Sequence, residues 1–153
     1  MKILKQSILR TKIKHLFQLI ILSGLMFSCA KTQDQIVPYV RVNIVFSPDL
    51  PQFYMLTSPG NAYIKPYEGY NNNGVIIFRN SMDEFTAYDA TCPQHIDTKT
   101  AIVLDGGVGS GQAKCPKCST IYYFYSYGSA SKGFSLKQYY VTKTSGNFYS
   151  VSN

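Results

Sequence analysis

Charged residues are scarce in this sequence, and no segment sustains the apolar spacing of a long helix. Asp, Glu, Lys and Arg make up 15% of the 153 residues; an average soluble domain has about 25%. Without a sustained 3.6-residue apolar period, coiled coils and long helical bundles are excluded. Disorder is excluded too, because disordered chains are poor in aromatic residues, whereas this one holds 13 Tyr and 9 Phe.

Side chains that carry common hydrolytic chemistry are also few. The eight acidic residues include no close pair of the kind that glycosidases use. After residue 28 there is one histidine, His95, which cannot serve a catalytic triad and bind a metal at once. Residues 105–111 are rich in glycine but lack the Gly-Lys-Ser/Thr ending of a phosphate-binding loop, so a hairpin tip is predicted there. These absences favour a binding module over a catalyst.

Residues 1–28 have the composition of an export signal. An apolar stretch over 16–27 is shorter than the roughly 20 residues needed to span a bilayer, but it suits the hydrophobic region of a signal peptide. Without the leader's charges, ten basic residues face eight acidic ones, and the net charge is +2 rather than +7. The basic balance therefore gives no support to a nucleic-acid partner. The leader's charges are all basic: Lys2, Lys5, Arg10, Lys12 and Lys14.

The leader runs into Leu25-Met26-Phe27-Ser28-Cys29, which resembles the lipobox of bacterial lipoproteins. The resemblance implies cleavage before Cys29 and acylation of its thiol and amine with fatty chains such as palmitate. Several chains make a stable anchor, since each buried methylene contributes about 0.8 kcal/mol. We expect a membrane-anchored protein on the periplasmic or surface face of the bacterial envelope; the alternative is a secreted protein with a free Cys29. Residues 30–35 are predicted to form a polar tether, and 36–153 a single domain.

From residue 36 onward the apolar residues recur at a period of two, which is typical of half-buried strands. Turn-forming segments such as Asn-Asn-Asn-Gly at 71–74 separate the strands. Many short β-branched and aromatic strands predict an all-β domain, a small antiparallel β-sandwich or barrel. Strands are predicted at residues 40–46, 53–57, 62–67, 75–80, 85–90, 101–104, 121–127, 138–142 and 148–152.

Two segments break the strand pattern, and each holds two potential metal ligands. Cys92-Pro-Gln-His95 and Cys115-Pro-Lys-Cys118 are separated by 19 residues. Thiolate and imidazole ligands paired in a short turn suit zinc or iron, because such a turn directs both side chains at one point. The sequence therefore predicts a four-ligand metal site made of Cys92, His95, Cys115 and Cys118.

The cysteines allow two other interpretations. In an oxidising envelope, Cys115 and Cys118 could instead form a disulfide that leaves Cys92 unpaired. A thiol-oxidoreductase motif is disfavoured, because its first cysteine needs a helix N-terminus to lower its pKa, whereas a strand is predicted directly after Cys118.

At this point the chain resembles the Rieske-type iron–sulfur domains over roughly residues 75–153. Phe-Thr-Ala-Tyr-Asp-Ala-Thr-Cys-Pro at 85–93 looks like the approach to their first cluster loop, and Ala-Lys-Cys-Pro-Lys-Cys-Ser at 113–119 is similar to the second. The resemblance implies a β-sandwich body of Rieske-like type with a small metal-binding loop subdomain. It also implies a [2Fe–2S] cluster, an electron-transfer function and a redox partner protein in the envelope.

The ligand pattern departs from that family's Cys-x-His and Cys-x-x-His. Cys92 and Cys115 match the two thiolates of that pattern. Gln94 occupies the position of the first histidine, and His95 follows one residue later. Cys118 occupies the position of the second histidine. The resulting set of three Cys and one His could still hold a [2Fe–2S] cluster. The leader has no twin-arginine pair, so export of a folded, cluster-loaded protein is not indicated. Zinc bound after export is the alternative cofactor, in a non-redox scaffold or interaction lipoprotein.

Overall fold

The computed structural model describes residues 36–153, which form ten strands and three short 3-10 helices. The predicted signal peptide, Cys29 and the tether lie outside the described residues. Within residues 36–153 no helix is long and apolar enough to cross a membrane. The strands are β1 (Asn43–Phe46), β2 (Ala62–Lys65), β3 (Val75–Arg79), β4 (Phe85–Asp89), β5 (Val103–Asp105), β6 (Gln112–Lys114), β7 (Ile121–Tyr123), β8 (Ser129–Ala130), β9 (Gln138–Lys143) and β10 (Tyr149–Ser152).

These strands make two sheets, and every pairing within them is antiparallel. The larger sheet has the order β1-β10-β9-β4-β3-β2, and the smaller has the order β5-β6-β7-β8. The all-β prediction is confirmed. A larger sheet and a smaller sheet that carries a cysteine loop are also present, since Cys115 and Cys118 lie in the connection between β6 and β7.

Strand β3 separates two hydrophobic cores because both of its faces are covered. Alternate side chains of a strand point to opposite faces, so Val75 and Ile77 enter one core while Ile76 and Phe78 enter the other. The first core also takes side chains from β1, β4, β9 and β10, so five strands of the larger sheet contribute to it. The second core contains Cys92 and Cys115. Two of the four predicted ligands therefore come from a packed interior.

The strand predicted at 53–57 is wrong: Pro51–Thr57 is a 3-10 helix. Pro51 supplies the fixed φ of a first helical turn. The backbone is kinked at Phe53, where φ is -110° and ψ is 16°. Phe53 and Leu56 are both buried in the first core. The Phe53 ring packs against Phe46 with centroids 5.8 Å apart. The packing of these two apolar side chains into the core, rather than local strand propensity, determines the conformation of residues 51–57.

The strand predicted at 121–127 ends at Tyr123. A 3-10 turn over Phe124–Ser126 follows, and Tyr127 ends it with a left-handed backbone at φ 53°. Strands β6 and β8 were not predicted, because they have three and two residues and too little apolar alternation. The glycine-rich segment is the predicted hairpin tip: β5 and β6 pair from Asp105 opposite Gln112.

Candidate metal centre

The first ligand loop follows β4 and is closed at its base. Thr91 forms an isolated bridge with Ala101, and the Cys92 N–H donates to the Thr100 carbonyl at 2.9 Å. Within the loop, the His95 N–H donates to the Cys92 carbonyl at 2.9 Å. This turn places the Cys92 and His95 side chains on the same side of the loop. The Cys-x-x-His segment therefore presents one sulfur and one ring nitrogen, two candidate metal ligands, in the same direction.

The second ligand loop connects β6 to β7. The Cys115 N–H donates to the Thr120 carbonyl, and the Ser119 N–H donates back to the Cys115 carbonyl, both at 2.9 Å. Ser119 takes a left-handed conformation at φ 57°, which reverses the chain after Cys118. Cys115 and Cys118 are therefore held on one side of a tight turn.

The two loops meet, and all four predicted ligands come together. The three sulfur atoms and one ring nitrogen lie within 4.8 Å of one another. Cys92 Sγ is 3.5 Å and Cys115 Sγ 3.7 Å from His95 Nδ1, and Cys92 Sγ is 3.9 Å from Cys118 Sγ. All three cysteines are free thiols, so the Cys115–Cys118 disulfide is not formed. The donor set is compatible with a metal ion or with iron–sulfur ligation.

Cys92 and Cys118 have thiol pKa values shifted in opposite directions. Burial raises the pKa of Cys92 to about 12. At Cys118 burial also acts to raise the pKa, but hydrogen bonds with Thr120, Cys115 and Cys92 outweigh it and lower the pKa to about 7. Crowded thiols cannot all ionise in a buried site without a cation to balance them. A bound metal cation would supply that charge and displace the protons.

Three polar side chains outside the predicted set complete the surroundings of the site. The Tyr122 hydroxyl donates to Gln94 Oε1 at 2.8 Å and lies 3.3 Å from Cys92 Sγ. Burial raises the Tyr122 pKa well above its usual value, so this hydroxyl stays neutral. The Thr120 hydroxyl lies 3.0 Å from Cys118 Sγ. Two of the three sulfurs thus have a hydroxyl within hydrogen-bond distance.

Gln94 also ties a third loop to the site. Its amide nitrogen donates to the carbonyls of Lys132 and Phe134, at 2.9 and 3.3 Å. The adjacent Gly133 leaves room for this contact, since a Cβ there would lie 2.4 Å from the Gln94 amide nitrogen. In the sequence Gln94 stands out only as a departure from the Rieske pattern, and its bridging role is not predicted there. No local motif signals the role, because the partners lie 28 to 40 residues away.

The comparison with solved structures finds distant likenesses. No protein-family model matches the sequence, and a comparison with curated proteins finds no match. A solved structure described as the small subunit of an NADH-dependent nitrite reductase from Mycobacterium tuberculosis is similar at 15% identity, with a TM-score of 0.44. The match covers 75% of this chain and 97% of that one.

Proposed function

We propose that this protein is a membrane-anchored envelope lipoprotein whose β domain holds one four-coordinate metal ion, zinc, that fixes its loops together. One observation carries the proposal: three sulfurs and one ring nitrogen from two separate loops lie within 4.8 Å of one another. Every cysteine and histidine among the described residues belongs to this set. Thiolates and imidazole are the ligands that structural zinc takes in proteins.

The donor separations support one ion over two. With bonds of about 2.3 Å to sulfur and 2.0 Å to nitrogen, a tetrahedral zinc site puts two sulfurs about 3.8 Å apart and sulfur and nitrogen about 3.5 Å apart. Here the Cys92 and Cys118 sulfurs are 3.9 Å apart. The Cys92 and Cys115 sulfurs lie 3.5 and 3.7 Å from the His95 ring nitrogen. A [2Fe–2S] cluster needs one ligand pair on each iron, with both irons and the bridging sulfides between the pairs. The present set is too compact to provide two such pairs.

Burial and ligand number support a structural role for the ion. Cys92 and Cys115 are fully buried, and His95 and Cys118 are half-buried. Four protein ligands leave no position for water or substrate, which is the usual difference between structural and catalytic zinc sites. The ion would connect the loop after β4 to the β6–β7 connection, so its binding energy would stabilise the second core.

A second candidate is an iron–sulfur electron-transfer module. The sequence resemblance to Rieske-type domains supports it, and so does the half-buried His95, which would give electrons a path to a partner at the surface. The hydroxyl of Tyr122 beside Cys92 Sγ would tune the reduction potential of an iron centre. In this interpretation the anchored domain passes electrons to another envelope protein and performs no substrate chemistry.

Metal analysis of the full chain, purified from membranes with its anchor, separates the two candidates. We expect about one zinc per chain and no visible absorption. Stoichiometric iron with bands in the visible range would overturn the zinc proposal in favour of the redox module. Protein without metal, and with fewer than three free thiols after residue 28, would refute both.

Two variants test the parts of the proposal separately. Cys118→Ser removes one ligand and should abolish stoichiometric zinc, while Cys29→Ser should leave the zinc content unchanged. Cys29→Ser should also move the protein from the membrane fraction to the soluble fraction and abolish labelling by radioactive palmitate. Membrane retention of Cys29→Ser would contradict the lipid anchor without bearing on the metal site.

A further inference from the structure

A concave groove opens where β4 and β9 separate. The two strands pair only at Ala87 with Tyr139 and at Tyr88 with Gln138. Beyond that point β9 continues along β10, with Tyr140 opposite Ser152, while β4 continues along β3. Thr86 and Tyr140, which the same register would have paired next, instead line the two sides of the groove. Its volume is about 710 Å³, within the range of small-ligand sites.

Three exposed tyrosines surround this groove. Tyr39, Tyr127 and Tyr140 line it with exposed fractions of 72%, 65% and 75%. They come from the N-terminal segment, the end of a 3-10 turn and β9, so no local sequence pattern groups them. Exposed rings that converge on one concavity present apolar faces together with hydroxyl groups at their edges.

One of the three rings is held in place before any ligand arrives. The ammonium of Lys137 lies 5.5 Å from the Tyr39 ring centroid and 5.6 Å from that of the buried Tyr139, and it donates to the Pro38 carbonyl at 3.1 Å. A cation over an aromatic face stabilises the ring's position. A ring fixed in advance lowers the entropy cost of binding a ligand against it.

The polar groups in the groove indicate what kind of ligand fits. The charged side chains of the lining are Glu84 and Lys137, one of each sign, so the side chains together add no net charge to attract a strongly ionic ligand. Gln138 adds an amide, which both donates and accepts hydrogen bonds. A sugar ring has an apolar face for an aromatic ring and hydroxyl groups for such side chains.

We propose that this groove binds a neutral oligosaccharide, with its sugar rings against Tyr39, Tyr127 and Tyr140. The proposal is independent of the metal centre and of the lipid anchor. Tyr140 is the most exposed of the three, and it would contribute ring contact with little role in the fold. Proline-rich peptides also dock in aromatic-lined grooves, and titration with decaproline separates them from oligosaccharides.

The test is calorimetric titration of the purified full chain with maltohexaose, cellohexaose and chitohexaose, and separately with decaproline. We expect at least one oligosaccharide to bind, and Tyr140→Ala to weaken it by about tenfold or more. Tyr140→Phe keeps the ring and should stay within about threefold of the wild type. Tyr67→Ala removes a tyrosine that is 84% exposed and outside the groove, and it should change nothing.

Several outcomes would overturn the proposal. They are the absence of saccharide binding up to about 10 mM, equal binding by Tyr140→Ala and the wild type, or binding of decaproline alone. A melting temperature within the error of the wild type must accompany the weakened Tyr140→Ala binding, so that loss of the fold is not mistaken for loss of the site.

Discussion

The carboxylate of Asp89 accepts a hydrogen bond of 2.6 Å from the hydroxyl of Tyr139, and both residues are buried. The same carboxylate accepts the backbone N–H groups of Tyr70 and Thr91, at 2.7 and 2.8 Å. Three donors thus compensate one buried charge at the end of β4. Because Thr91 immediately precedes Cys92, this network also fixes the start of the first ligand loop.

Replacing Asp89 should be among the most damaging polar substitutions in the domain. Asp89→Ala leaves two backbone N–H groups and one hydroxyl without an acceptor, and we expect the free energy of unfolding to fall by about 3 kcal/mol or more. Tyr139→Phe removes one hydrogen bond to a charged acceptor and should cost about 1.5–3 kcal/mol. Urea denaturation of both variants measures this. A loss below about 1 kcal/mol for Asp89→Ala would show that the network is not stabilising.

The same pair makes stability sensitive to alkaline pH. Burial, reinforced by the negative charge of Asp89, raises the pKa of Tyr139 above its ordinary value of 10.0. The folded chain therefore keeps the Tyr139 proton after the unfolded chain has released it. The contribution is complete below about pH 10 and is lost as the pH rises further. Between pH 9 and 11 the wild type should lose more unfolding free energy than Tyr139→Phe; parallel curves would contradict this assignment.

Two glycines of the β5–β6 hairpin tip should respond differently to alanine. Both have positive φ, +61° at Gly111 and +77° at Gly107, so alanine is strained at either. At Gly111 a Cβ would also lie 2.6 Å from the Tyr125 ring, whereas at Gly107 it meets nothing within 4 Å. Gly107→Ala should cost about 1 kcal/mol and Gly111→Ala clearly more. Thermal denaturation compares them, and equal costs would mean that the Tyr125 ring moves freely.

Metal binding should account for a measurable part of the domain's stability. Cys118→Ser should lower the melting temperature markedly. A metal ion that binds the folded chain and not the unfolded chain stabilises the fold, and this variant loses that contribution. A strong chelator should lower the wild type to the same temperature and leave Cys118→Ser nearly unchanged. An identical melting temperature for wild type and Cys118→Ser, both measured with zinc in excess, would show that the site is not structural.

The sequence by itself determined the class of fold and the candidate ligands of the proposed site. Alternating apolar residues placed most of the strands, because a period of two is a local property of the chain. Two short Cys-containing turns identified Cys92, His95, Cys115 and Cys118, because closely spaced ligands carry their geometry locally.

Tertiary structure alone decided the features that join distant segments. The 3-10 helix at Pro51–Thr57 follows from packing of Phe53 and Leu56 into a core assembled by other strands. The Tyr122–Gln94 bond spans 28 residues, and the groove of tyrosines exists because β9 leaves β4 to follow β10. Spacing along the sequence predicts which side chains of one turn or strand lie on the same side. Contacts across the sheets depend on where the folded chain brings those elements, and no short sequence pattern records that.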